Sequence, residues 1–313
     1  MAPPRKPTSP RTPQSQRNAR PPQNTAPELV DPRWILKALG IVLFVALLLA
    51  WATLCLLYYQ GQWQLVLHPS RNVATTPASV GMKFTELHFA DDATGVPQLN
   101  GWLIPSGPQS DPTLLFPSAH TVLFLHGADG SIADTLPRAL TLHNTGLSIL
   151  VFDYRGYGRS IGRHPSEGSM QQDADAALNF LISTQHIPPQ SIILYGHGIG
   201  ASLAVELAAQ HHDIPAIILD APDGDLAGRV IMDPHSSLVP ARLLFNETFP
   251  LAEPLRTLTT PKLLISYTNS TPTSLANAAD PKITVEVPSP NDPKLLCAIQ
   301  GFLDLYFHNP HYS

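Results

Sequence analysis

The chain has 313 residues, 43% of them hydrophobic, which is enough for one sizeable domain with appendages. A formal net charge of −5 and a pI near 6.2 exclude the basic footprint of a nucleic-acid-binding protein. Two cysteines, Cys55 and Cys297, lie in different contexts and exclude a disulfide framework.

Residues 1–31 are rich in Pro, Gln, Asn, Ser, Thr and Arg and almost devoid of large apolar side chains. Such a segment cannot bury enough surface to offset its ordering entropy, so it reads as a disordered tail. From Ala38 to Tyr59 there is no charge. About 22 apolar residues at about 1.5 Å each match a hydrocarbon core of about 30 Å. Trp34 on one side, and Tyr58, Tyr59 and Trp63 on the other, have the character of interface anchors, and a transmembrane segment is predicted over 34–60. Two other uses of this segment exist. Ala50-Trp51-Ala52 has the form of a signal-peptidase site, and Cys55 that of a lipidation cysteine. The long polar tail before the run, its continuation past Ala52 and the bulk of Leu54 favour an uncleaved anchor. Arg5, Lys6, Arg11, Arg17, Arg20, Arg33 and Lys37 precede the run against only Glu28 and Asp31. The excess of positive charge predicts a cytoplasmic N-terminus and a C-terminal domain on the exported side.

A globular domain is predicted over 65–313. Phe84–Phe89 and Leu99–Ile104 alternate apolar and polar residues as half-buried antiparallel strands do. Continuous apolar runs follow at Val122–Leu125, Leu147–Phe152, Ile192–Tyr195 and Ala216–Leu219, with helical patterns between them, notably Gln171–Ser183 and Ser202–His211. Strand–helix alternation with fully apolar strands predicts an α/β fold whose parallel sheet is covered on both faces. Two further strands, Lys262–Tyr267 and Ile283–Val287, precede a last helix from about Pro293 to Phe307. Residues 231–258, with Pro-interrupted helical pieces, read as a small lid.

Ligands of an open parallel sheet sit at the carboxyl ends of its strands, so the chemistry is sought there. Those ends carry His126-Gly127-Ala128-Asp129-Gly130-Ser131, the run Asp153-Tyr154-Arg155-Gly156-Tyr157-Gly158-Arg159-Ser160, the turn Gly196-His197-Gly198-Ile199-Gly200-Ala201, and Asp220-Ala221-Pro222. The third of these admits two readings. As strand, tight turn and helix it has the geometry of a nucleophile elbow, with Gly198 at the nucleophile position. As G-x-G-x-x-A with Asp220 about 20 residues on, it also fits the dinucleotide fingerprint, with Asp220 on a ribose. Asp153 and Arg155 read as organisers of their own loop. His211-His212-Asp213 reads as a solvated helix end. No metal or cofactor is expected. Asn246-Glu247-Thr248 and Asn269-Ser270-Thr271 are glycosylation sequons.

The order of these segments, the Asp-Tyr-Arg-Gly-Tyr-Gly-Arg-Ser run, the Pro165-Ser166-Glu167-Gly168 after it, the Leu-His-Gly turn and the Leu-Asp-Ala-Pro after the elbow helix resemble the α/β-hydrolase superfamily from Leu65 to Phe307. The likeness is to its membrane-anchored, small-lid serine hydrolases. The resemblance implies a Ser-His-Asp triad, and it also implies where the triad would fall. The serine position is Gly198. The acid position, in Ser266-Tyr267-Thr268-Asn269-Ser270, is Ser270. The histidine position, in Ser289-Pro290-Asn291-Asp292, is Pro290. Ser202 is four residues into the helix, so its hydroxyl should point away from the elbow. His308 and His311 lie about 25 Å away along a helix. His197 is beside the elbow with no evident carboxylate. The implied oxyanion donors are the backbone N–H groups of Ile199 and Ala128, next to Gly127, and backbone donors survive the loss of side chains. The resulting expectation is a catalytically silent α/β-hydrolase-like domain with a cleft suited to a small acyl or carboxylate ligand, with an unrecognised hydrolytic site as the alternative.

Overall fold

A computed structural model describes residues 32–90, 95–106, 120–267, 273–290 and 292–308. The tail at 1–31 and the acid position Ser270 lie outside the described residues, as do Asn269, Asn291 and His311. The chain divides into two compact units, one ending at Ala50 and the other beginning at Trp51.

The first helix, α1, runs Pro32–Gly61, and none of its residues is buried against the protein. It belongs to a Pro32–Leu65 segment containing an 18-residue window of mean hydropathy 2.7, long and apolar enough to cross a membrane.

The second unit is built on an eight-stranded sheet. Its strands are β1 (Thr85–Ala90), β2 (Pro97–Ile104), β3 (Thr121–Leu125), β4 (Ser148–Asp153), β5 (Ile192–His197), β6 (Ala216–Asp220), β7 (Lys262–Tyr267) and β8 (Lys282–Val287). They lie in the order 1-2-4-3-5-6-7-8. β1 pairs antiparallel with β2, and β2 antiparallel with β4; every other pairing is parallel. The strands β3, β4 and β6 are buried along their whole length, as their unbroken apolar runs require.

Successive side chains of a strand point to opposite faces, so one apolar run feeds two cores. Leu123, Leu125, Leu150, Phe152, Leu194 and Leu219 pack with α3 (Glu167–Asn179) and α4 (Gly200–Gln210). Val122, Phe124, Val151, Ile193, Tyr195 and Ile218 pack with α2 (Leu136–His143) and α8 (Pro293–Leu303). The alternation in β2 misleads in one respect. Leu99 to Ile104 are all buried, because β2 is an interior strand between β1 and β4.

The Asp153–Ser160 run is a folded loop rather than a site. The Asp153 carboxylate, fully buried, accepts from the N–H of Ile132 at 2.9 Å and of Arg159 at 3.4 Å. Burial pushes its pKa up to about 6, although those two amides pull the other way. Gly158, at φ +41°, sits against this carboxylate where no Cβ would fit. Arg155 closes the loop on α3 through Asp173, at 2.6 Å. Truncating Asp153→Ala strands the buried Ile132 amide and takes the acceptor from that of Arg159, and we expect a loss of roughly 3 kcal/mol. In a domain of this size that is a fall of about 6–12 °C in Tm, measurable by thermal denaturation of the detergent-solubilised chain.

Candidate functional site

The elbow is built as its sequence pattern requires. β5 ends at His197, Gly198 takes the left-handed conformation at φ +59°, and α4 opens at Gly200 with Ile199 before it. Three backbone hydrogen bonds hold the turn. Gly198 N donates to Asp220 O at 3.1 Å, and Gly198 O accepts from Ala201 N at 3.2 Å and Asp223 N at 2.9 Å. A Cβ on Gly200 would lie 2.2 Å from Leu125 O, so this glycine lets the helix start dock on β3, and Gly196 is as tightly packed against Ala201. Gly198 differs. A Cβ there would meet only Gly127 Cα, at 3.5 Å. The space for a nucleophile exists and no side chain fills it.

Above the elbow lies a cleft with two lobes of about 380 and 370 Å³, both bounded by Ala128, Asp129, Ile199 and Asp223. One lobe covers His126, Gly127, His197 and Gly198. The other extends to Leu65, Leu226 and Val230. The turn at Gly127 and Ala128 is held by its carbonyls. Tyr157 Oη donates to Ala128 O at 2.7 Å, His68 N to the same oxygen at 2.9 Å, and Tyr154 Oη to His126 O at 3.3 Å. The N–H groups of Ala128 and Ile199 make no hydrogen bond among the described residues, as donors awaiting an oxyanion would. His126 is fully buried, and burial holds its pKa down to about 4. Its neutral ring therefore donates from Nδ1 to Gly127 O at 2.9 Å.

The floor of the cleft holds a network that the sequence did not disclose. Asp220, at the end of β6, has no exposed surface. Its Oδ2 receives Arg138 Nε and Tyr195 Oη, each at 2.6 Å, and its Oδ1 receives Tyr267 Oη at 2.6 Å. Burial opposes ionisation here, but the His197, Arg138 and Tyr195 contacts outweigh it and hold the carboxyl well below the usual range. His197 Nδ1 lies 3.1 Å from Asp220 O and 3.4 Å from Oδ2. No carboxylate partner for His197 is evident in the sequence; the parallel register of β5 and β6 sets it directly opposite Asp220. The same burial overturns the ribose role for Asp220, since every approach to its oxygens is taken by protein.

Other expected residues fall as follows. Ser202 Oγ donates to Pro250 O at 2.6 Å, away from the elbow. Pro290 is exposed beyond β8. Among the described residues, the hydroxyls lining the cleft belong to Ser131 and Thr135, and both are committed. Ser131 Oγ donates to Asn72 O and accepts from Ala133 N, while Thr135 Oγ1 donates to Ile132 O. His211 lies 3.8 Å from Asp175 at the surface. Among the described residues no group of three or more His, Cys, Asp or Glu side chains is placed to hold a metal.

The segment expected to form a lid, 231–258, consists of short helical pieces that run from α5 (Ala227–Met232) through a 3-10 turn (Pro234–Leu238) and α6 (Ala241–Leu244) to α7 (Ala252–Thr257). The Pro165–Gly168 motif ties it down. Glu167 Oε2 accepts from Thr248 N at 2.6 Å and Phe249 N at 2.9 Å, and Glu247 returns the contact to Glu167 N.

Residues 117–294 match the family described as serine aminopeptidase, S33. An uncharacterised protein of Mycobacterium tuberculosis, Rv2307c, is 32% identical over 276 residues, covering 83% of this chain and 90% of that one. Protein bem46 of Schizosaccharomyces pombe is 31% identical over 157 residues, 48% of each chain. Among solved structures, the esterase Pf2001 of Pyrococcus furiosus superposes with a TM-score of 0.58 at 18% identity, covering 77% of this chain and 98% of its own. That likeness concerns the fold.

Removing the Asp220 carboxylate would leave the buried Tyr195 hydroxyl without its acceptor and take the counter-charge from Arg138. We expect Asp220→Ala to cost about 3–5 kcal/mol. Because the folded-state pKa is depressed, this stabilisation is complete above the ordinary carboxylate pKa of about 4 and is lost as pH falls below it. Parallel melting curves of parent and variant should therefore be widely separated at neutral pH and converge in acid.

Proposed function

Because this chain belongs to the serine aminopeptidase S33 family of α/β-hydrolase folds yet carries Gly198 at the elbow, we propose that it is a catalytically silent, membrane-anchored member that binds in its cleft rather than cleaves. In this reading α1 is a retained single-pass anchor, with the N-terminal tail in the cytoplasm and the α/β domain on the exported side. The excess of Lys and Arg before the run supports that orientation.

One observation carries the silent reading. The left-handed elbow position has room for a nucleophile and holds glycine, and each hydroxyl that lines the cleft among the described residues is already hydrogen-bonded to backbone. Loss of a nucleophile from a serine hydrolase costs on the order of 10⁶ in turnover. What survives is the ability to hold an acyl or carboxylate oxygen on the N–H groups of Ala128 and Ile199 at the start of α4.

A second reading has one observation in its favour. His197 directs Nδ1 toward Asp220, so Nε2 is the nitrogen left for the cleft, in the lobe that covers Gly198. An imidazole so oriented can orient water, giving hydrolysis without an acyl-enzyme.

The detergent-solubilised full chain should take no label from a fluorophosphonate probe and should turn over no generic ester. Labelling of any serine together with turnover would overturn the silent reading. Turnover without labelling, abolished in His197→Ala, would establish the second. Gly198→Ser should leave ester turnover at the parent level, because Pro290 stands where the imidazole would be. A non-glycine residue in this conformation costs about 1–3 kcal/mol, so its Tm should fall by a few degrees.

A further inference from the structure

The lid carries apolar side chains that the domain does not use. Outside α1, the most exposed large hydrophobic residues among those described are Met232 at 86%, Leu243 at 82% and Leu238 at 67%. All three belong to the short stretch from Ala227 to Leu244. Its inward-facing residues Val230, Val239 and Ala241 are buried, so the lid is two-faced, with one side on the protein and one apolar side outward. An apolar outer face on a lid this short is the mark of an interaction site.

Contacts within the second unit identify what this face meets. The indole Nε1 of Trp51, in the apolar run, donates to Leu238 O at 3.2 Å. Tyr58 Oη and Ser236 Oγ are 3.4 Å apart. Gln62 Oε1 accepts from Asn246 N at 2.6 Å, between α6 and α7. The 3-10 turn Pro234–Leu238 therefore lies alongside the last turns of the apolar helix. Trp51 precedes Tyr59 by eight residues, or about 12 Å of helix. If α1 spans a bilayer, the residue bonded to Trp51 is at the depth of lipid and not of bulk water. The Trp51 bond also supplies the Leu238 carbonyl with the donor that a backbone group in lipid requires. Arg242 is exposed beside Leu243, with a stem long enough to carry its charge to the headgroups.

We propose that the lid is a membrane-seated element. Met232, Leu238 and Leu243 enter the outer part of the same leaflet from which α1 emerges, so the partner of this face is a phospholipid surface. Leu65, four residues after the end of α1, and Val230 of the lid both line the second lobe of the cleft. The cleft and the seated lid thus share a wall. This inference rests on the reading of α1 as an anchor, and the test separates the two.

Single cysteines at Met232, Leu238 and Leu243, in full-length protein bearing Cys55→Ala and Cys297→Ser, are spin-labelled and reconstituted in phosphatidylcholine vesicles. Two controls use the same background: Leu47→Cys within α1, and native Cys297 restored on α8. The lid positions should be more accessible to oxygen than to a water-soluble nickel chelate, as at Leu47, with the order reversed at Cys297. Nickel accessibility at the lid equal to that at Cys297, with Leu47 still in lipid, would overturn the lid proposal and leave the anchor standing. Leu47 in water would overturn the anchor and the proposal with it. Lid positions shielded from both reagents would mean that a second copy or another protein covers the face, and that too overturns the proposal. All three lid sites are exposed, so labelling should leave the melting temperature unchanged.

Discussion

The buried carboxylate of Asp220 is the interaction on which the geometry of the cleft depends. It receives hydrogen bonds from Tyr195 on β5, Tyr267 on β7 and Arg138 on α2, while its own backbone oxygen receives Gly198 N. Three adjacent strand ends and one crossover helix are therefore held together at a point below the elbow. A charge so deep is tolerable only because every oxygen has a donor and the Arg138 guanidinium lies beside it. The consequence for chemistry is as important as the one for stability. The Asp220 carboxylate is committed to the scaffold, while the His197 imidazole lines the cleft together with Asp129 and Asp223.

Much of this was legible in the sequence, for identifiable reasons. Unbroken apolar runs such as Val122–Leu125 and Ala216–Leu219 can be satisfied only in the middle of a covered sheet, so parallel strands and flanking helices followed directly. The turn from Gly196 to Ala201 was legible because glycines there answer to specific contacts: Gly200 to the carbonyl of Leu125, Gly198 to a left-handed backbone. What the sequence did not reveal depends on register. His197 and Asp220 are separated by 23 positions, and nothing local states that parallel pairing of β5 with β6 sets them opposite each other. The same holds for Glu167, whose carboxylate caps backbone N–H groups some eighty residues away, between α6 and α7. The alternation of Leu99–Ile104 was read correctly as a strand and incorrectly as half-buried, since whether a strand is interior is a property of sheet order.

The dinucleotide reading fails on the same physics. G-x-G-x-x-A describes a backbone able to turn tightly and approach a helix start closely, and this chain has that backbone. A ribose partner, however, must present its carboxylate to solvent, whereas Asp220 is enclosed by two tyrosines and an arginine. A motif made of glycines specifies a turn; the side chains around it decide what the turn is for.

The pattern of what persists at the site follows from what holds each part. The turn at Gly127 and Ala128 is fixed by Tyr154 and Tyr157, both buried in the core and packed against His126, one tilted and one edge-on. Its geometry is thus a by-product of core packing and survives as long as the fold does. The elbow persists because strand β5, helix α4 and the Asp220 carbonyl dictate it, and glycine relieves the strain that a side chain would store there. A nucleophile has no such support: it contributes to turnover and to nothing else in the structure. On the silent reading proposed above, a scaffold of this kind would lose its chemistry with the nucleophile while the backbone turn at Gly127 and Ala128 and the cleft stay intact.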